Sequence, residues 1–350
     1  MWSGTHGTPL GPERPAGQTN WSHRATPANP FMRLLALVLA LLSPLAVVGT
    51  AAGAFWGPHG HEMSARAAVM ALPPGMPAFF AGATEQLTYL NPEPDRWRHE
   101  DFREMDQAYS YDHYVDLENV PEAARTAPDR YRYLEVLYRE TTLPRPERDA
   151  GLLPFHILEL YQRLVTEWAL WHEAERAEDL VARGFIQDRI LNDAGILGHY
   201  VTDASQPHHT TIHFNGWNAS GALHEPNPEG FTESRDFHWR FESDFVRAHV
   251  RPEAVVLATR AWPDPPRWEG MDAVREAVWT HLEESHDQVR PLYTLERDHG
   301  FTPAAGADPA TVAFTVGRLS HGARMLRDLW WNAWLEGRSL AQSRRGPGGV

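Results

Sequence analysis

The segment from His199 to His209, reading HYVTDASQPHH, constrains the fold more than any other stretch. His199 and Asp203 are four residues apart, so on a helix both side chains leave one face close enough to share a cation. Gln206-Pro207 ends that helix, because a proline drives the residue before it out of helical backbone. His209 then arrives on the following turn, pointing back at the same place. A second pair with the same step, His238 and Glu242, follows in FHWRFE. Neutral imidazole and carboxylate suit zinc, and a carboxylate can bridge two ions.

Most of the remaining chain carries helical periodicity, and almost none of it alternates as strands do, so the expected fold class is all-α. The stronger helix candidates are 131–140, 155–173, 177–203, 235–250, 271–293 and 309–336. Breaks fall at Pro73-Pro74, at 143–146, across 215–232 and at 262–266. None is long enough for a domain linker, and candidate ligands lie on both sides of several. Residues 55–337 therefore read as a single multi-helix domain, with 338–350 as a disordered tail. No internal repeat is present.

Met32-Arg33 opens a run from Leu34 to Val48 without one charge, the layout of a secretory signal. Residues 32–54 read as a signal peptide, with Ala52-Gly53-Ala54 as an A-x-A cleavage site. Residues 1–31, rich in Pro, Gly and Thr, read as a disordered leader or an overlong start. The expected location is secreted or periplasmic, or membrane-anchored if the segment stays uncleaved. There is no cysteine, so stability must come from packing and metal. With 32 basic against 46 acidic residues the net charge is -14, which argues against holding duplex nucleic acid by general phosphate attraction. It leaves a catalytic role open, since bound cations would supply positive charge at the site itself.

Three further clusters precede the first two: Trp56-Gly57-Pro58-His59-Gly60-His61, then Asp95-Arg96-Trp97-Arg98, then His113-Tyr114-Val115-Asp116. The ordered pattern W-G-x-x-G-H, D-x-x-R, H-Y-V-D, H-x-x-x-D-x-x-Q-P-x-H, H-x-x-x-E resembles the superfamily of zinc-dependent phospholipases C and single-strand nucleases. The likeness spans Trp56 to Glu242. It implies an all-helical bundle with a trinuclear zinc cleft. By that likeness Asp95, His113, His199 and Asp203 hold one Zn2+ ion, and His209, His238 and Glu242 a second. His61, a bridging Asp203 and the terminal amine and carbonyl of Trp56 hold a third. That last chelate needs processing after Phe55, whereas the best cleavage site leaves Phe55 in place.

The resemblance implies a hydrolase of phosphate esters. Two zinc ions about 3.5–4 Å apart make hydroxide available near neutral pH. Arg98 matches a family arginine that contacts the phosphoryl oxygens, and Asp95 is a candidate general base as well as a ligand. The head of the pattern leans toward nucleases and its tail, with Glu242 as last ligand, toward phospholipases. The expected substrate is single-stranded nucleic acid or a nucleotide, with phospholipid head groups as the alternative. A non-catalytic zinc-stabilised binding protein is a third reading. No stable protein partner is evident and a monomer is expected. Phe214 and Trp217 are read as either base-stacking or loop-pinning side chains, Asp116 as an outer partner of His113, and Trp330, Trp331 and Trp334 as core.

Overall fold

Helix boundaries follow from caps and prolines that can be named one by one. The computed structural model describes residues 56–99, 101–218 and 226–344. The leader and signal readings fall on residues 1–55, outside this range. Among the described residues, nine helices of seven residues or more bury side chains; in order they are α1 (Pro58–Met70), α2 (Thr84–Leu90), α3 (Arg130–Glu140), α4 (Leu153–Arg176), α5 (Leu180–Asp203), α6 (Pro252–Arg260), α7 (Gly270–His286), α8 (Val289–Asp298) and α9 (Pro309–Ser343). Among the described residues there is no strand, only one isolated bridge between Val115 and Gly151. The protein is all-α.

Helices α3, α5 and α9 each begin on an aspartate whose carboxylate accepts backbone N–H groups of the first turn: Asp129, Asp179 and Asp308. Proline occupies the first turn of α1, α4, α6 and α9, where its missing N–H costs nothing. Helix α4 buries Ile157, Leu158, Tyr161, Leu164, Val165, Trp168 and Trp171, the three-and-four spacing of one apolar face. That face packs on α5 and α9 to make the central layer, while α1 lies on α9 with α2 and α6 beside it. Gly337 of α9 allows the closest approach to α4, since a Cβ there would sit 2.4 Å from Cβ of Trp168.

Four boundaries differ from the sequence reading, each for a local reason. The 271–293 helix is two, α7 and α8, because Pro291 cannot donate to the carbonyl four residues back and its ring would clash there. Helix α5 starts at Leu180 because Glu178 takes a φ of 56°, which no helix accommodates. The 235–250 helix contains a π turn, Arg240–Phe245, between short α segments. Helix α9 runs to Ser343 and so carries order past residue 337; Ala341 is buried and its carbonyl accepts from Arg176. The described residues belong to one compact unit, and no helix among them is long and apolar enough to cross a membrane.

Candidate metal centre

Helix α5 ends on a buried carboxylate, Asp203, where the partial negative charge of the helix C-terminus opposes it. The surroundings supply compensation. His113 Nδ1 is 2.9 Å and His199 Nε2 3.2 Å from Asp203 Oδ2, and His61 Nε2 is 3.4 Å from Oδ1. Burial pushes the Asp203 carboxyl up, but the charges of His199 and His209 and the hydrogen bonds of His113 and His199 outweigh it and hold it well below the usual carboxylate range.

Each of these histidines comes from a different element. His61 lies on α1 and His199 on α5. His113 closes the 3₁₀ turn Ser110–His113, and His209 sits in the 3₁₀ turn Pro207–Thr210, capped by Gln206, whose side-chain Oε1 accepts from His208 N. The segment carrying His113 is clamped by backbone bonds: Asp116 N donates to Ala150 O, Leu152 N to Tyr111 O and Val115 N to His209 O. Gly151, at φ 77°, makes that clamp possible, since a Cβ there would lie 2.1 Å from the Tyr114 carbonyl.

A shared hydrogen-bond pattern orients three of the rings. His61 Nδ1 is 3.0 Å from Asn91 Oδ1, His199 Nδ1 is 2.9 Å from Asn91 O, and His209 Nδ1 is 2.8 Å from His113 O. Each Nδ1–H donates to an amide oxygen, which leaves each Nε2 lone pair for a cation. Asn91 thus serves two histidines at once. It reaches them because Gly198 of α5 has no side chain; a Cβ at that position would lie 2.3 Å from Asn91 Nδ2.

The second donor set spans the π turn. His238 Nε2 and Glu242 Oε2 are 3.0 Å apart, and Gln206 Nε2 donates to the same oxygen at 3.1 Å. His209 and His238 face each other with ring centroids 5.1 Å apart. Asp95, from the short helix Glu93–Arg96, places Oδ1 3.7 Å from His199 Nε2. Three groups have donor atoms within 4.8 Å of one another and could hold a metal ion: His61 with Asp95 and His199; His113 with His199 and Asp203; His209 with His238 and Glu242. All eight side-chain ligands expected from the sequence are therefore brought together. Trp56 is buried next to them, its ring 5.3 Å from that of Phe241, with Gly57 packed on Ser243.

The donor chemistry fits a divalent cation. His61 Nε2, Asp95 Oδ1, Asp203 Oδ1, Glu242 Oε1 and both ring nitrogens of His238 are buried without a hydrogen bond, a cost that native structures rarely carry unless an ion offsets it. Burial pushes Asp95 up to about 8 and Glu242 up to about 7, while it pushes His238 down to about 3 and His113 well below its usual range. His113 and His238 are thus held toward their neutral, ligating form.

A cavity of about 330 Å³ opens beside His209 and His238. Arg98, Tyr111, Tyr114, Asp116, Arg148 and Phe214 line it. Arg98 Nε lies 3.7 Å from Asp106 Oδ1, and burial lowers the guanidinium's pKa. Asp116 takes part in the cavity wall, while His113 turns to Asp203 instead. Phe214 and Trp217 part company: Phe214 lines the cavity, but Trp217 is buried, stacked on His213 at 3.8 Å and packed against Phe231 and Tyr293. Sequence reasoning missed Asn91, for no periodicity ties it to the histidines, and it missed the brace of Glu118, which accepts from Thr211 Oγ1 and Ile212 N.

A fourth group, His281, Glu284 and His321, joins α7 to α9. Its rings stack at 4.2 Å, but Arg318 Nη2 lies 2.7 Å from His321 Nδ1 and must donate to it. The proton of His321 is then on Nε2, donated to Glu284 at 2.7 Å, and its ligating lone pair is used up.

Searches against protein-family models, curated proteins and solved structures find no match.

Proposed function

We propose that the protein is a zinc-dependent phosphodiesterase of the phospholipase C and single-strand nuclease type, acting on single-stranded nucleic acid or nucleotides. One observation carries the reading: three donor groups converge on Asp203 and Glu242 beside a cavity that holds an arginine and aromatic rings. Asp95, His113, His199 and Asp203 would hold one ion, His209, His238 and Glu242 a second, and His61 with Asp203 part of a third. Nitrogen and oxygen donors without sulfur suit zinc. Bound there, such ions make hydroxide available near neutral pH and neutralise phosphoryl charge.

The chain's own residues account for the rest. Arg98 faces the cavity and supplies a fixed cation for the phosphoryl oxygens, where charge builds in the transition state. Asp95 would offer a carboxylate oxygen to accept the proton of the attacking water, once a bound cation had displaced its own. Tyr111, Tyr114 and Phe214 offer flat walls for an unpaired base. The cavity also supports a choice between substrates. A quaternary ammonium head group would want carboxylates and rings; of the two carboxyls on this wall, burial pushes that of Asp116 well above its usual range, and Arg148 adds a second cation beside Asp149. Both features favour a nucleotide over phosphocholine.

The test is direct. The purified protein should release nucleotides from single-stranded DNA or RNA, lose that activity to a chelator and regain it with zinc. Release of phosphocholine from lecithin at the greater rate would transfer the reading to the phospholipases. Bound zinc with turnover of neither substrate would leave a binding protein.

A further inference from the structure

The opposite end of α5 carries a second cavity, of about 660 Å³, within the ~300–1,000 Å³ typical of small-molecule sites. Its walls come from the end of α4, the start of α5, the last turns of α9 and the loop before Phe79. Arg183 and His199 are 16 residues apart on α5, so about 24 Å of helix separates this cavity from the metal centre. None of its lining residues belongs to that centre.

Three arginines, Arg176, Arg183 and Arg338, line it against a single carboxylate, Glu175. In a chain of net charge -14 that balance stands out. Arg176 is partly engaged, donating to Ala341 O. Among the described residues the guanidinium groups of Arg183 and Arg338 make no hydrogen bond or ion pair. Phe79, Trp171 and Trp334 supply aromatic surface. The indole N–H groups of Trp171 and Trp334 are buried without an acceptor, and Trp171 is only 6 % exposed. Trp334, expected to be core, is only partly buried and stands on the cavity wall. Indole and guanidinium are donors only, so the complement of this lining is an acceptor-rich anion with a flat apolar part.

We propose that this cavity binds a phosphate monoester that carries an aromatic ring, of the chemical class of a nucleoside monophosphate. Arg183 and Arg338 take the phosphate, pairs of whose oxygens match their planar, forked donors, and the ring packs on Trp334 and Phe79. The proposal stands apart from the phosphodiesterase reading, because it needs neither the metal ions nor their chemistry.

Photolabelling of the metal-loaded protein with 8-azidoadenosine 5′-monophosphate, followed by peptide mapping, tests it. Label is expected on the peptides that carry Phe79 and Trp334, and excess adenosine 5′-monophosphate should compete it away. Calorimetric affinity at that site should fall at least about tenfold in Arg183→Ala/Arg338→Ala and in Trp334→Leu, with circular dichroism and bound metal unchanged. Inorganic phosphate and adenosine should each compete at least about tenfold more weakly than the monophosphate. Label confined to peptides of the metal cleft, affinity indifferent to the arginine pair, or phosphate competing as well as the nucleotide would each overturn the assignment.

Discussion

Two clusters of histidine and carboxylate, among the described residues, differ in what lies behind the rings. At the end of α5, the Nδ1 atoms of His61, His199 and His209 meet carbonyl oxygens, so their Nε2 lone pairs face Asp203, Asp95 and Glu242. Between α7 and α9, Arg318 occupies the corresponding place behind His321 and reverses the proton. Arg324 adds a further cation near Glu284. Proximity of ligand types is common to both. The atom on the far side of the imidazole decides which of them can take a cation.

The largest break in that comparison should come from Asp203→Asn. It removes the carboxylate common to several histidines, and we expect bound metal to fall and phosphodiester turnover to drop on the order of a thousandfold or more. Full turnover with full metal content would remove Asp203 from the centre. Asn91→Leu leaves every ligand in place and deletes one of the two acceptors that Asn91 offers. Metal affinity, measured by competition with a chromogenic chelator, should weaken by about 10–100-fold. An unchanged affinity would show that the ring orientation does not depend on that amide.

Proton linkage gives a third, smaller effect. Asp95 and Glu242 have folded-state pKa values raised to about 8 and about 7, so in the metal-free protein they hold protons that a cation must displace. Uptake should therefore strengthen from pH 6 to pH 8, by up to about tenfold per pH unit for each proton released. His113 and His238, pushed below their usual range by burial, add nothing to that slope. Affinity that stays flat over this range would place the ionised carboxylates elsewhere. The smallest expected change is at the other cluster: His321→Leu should leave the metal-to-protein ratio unaltered by elemental analysis. Loss of one equivalent would mean that Arg318 does not block the ring.

How much of this was written in the chain depends on whether a signal is local. His199 and Asp203 were legible because a four-residue step on a helix is a geometric statement, and Pro207 marks where the helix must stop. His61, His113, His209, His238 and Glu242 were legible only as an ordered set, for each alone has an ordinary explanation. Asn91 was not legible, because its role depends on two histidines at 30 and 108 residues' remove. Pro291 stands in plain view in the chain, yet it splits what reads by periodicity as one helix. The aromatic pair Phe214 and Trp217 reads alike in sequence, and only the packing of Trp217 on His213 and Tyr293 separates them. The arginine-lined cavity left no local trace, since Trp171, Arg183 and Arg338 come from three helices.

Gly198 donates no ligand, no charge and no hydrogen bond through a side chain, yet the Asn91 amide rests in the space it leaves. A scan that truncates residues to find the centre would pass over it, because there is nothing to truncate. The informative experiment at that position is enlargement: one added methyl would evict the side-chain amide and release the His61 imidazole that it orients. The architecture of this centre is thus written partly in an omission.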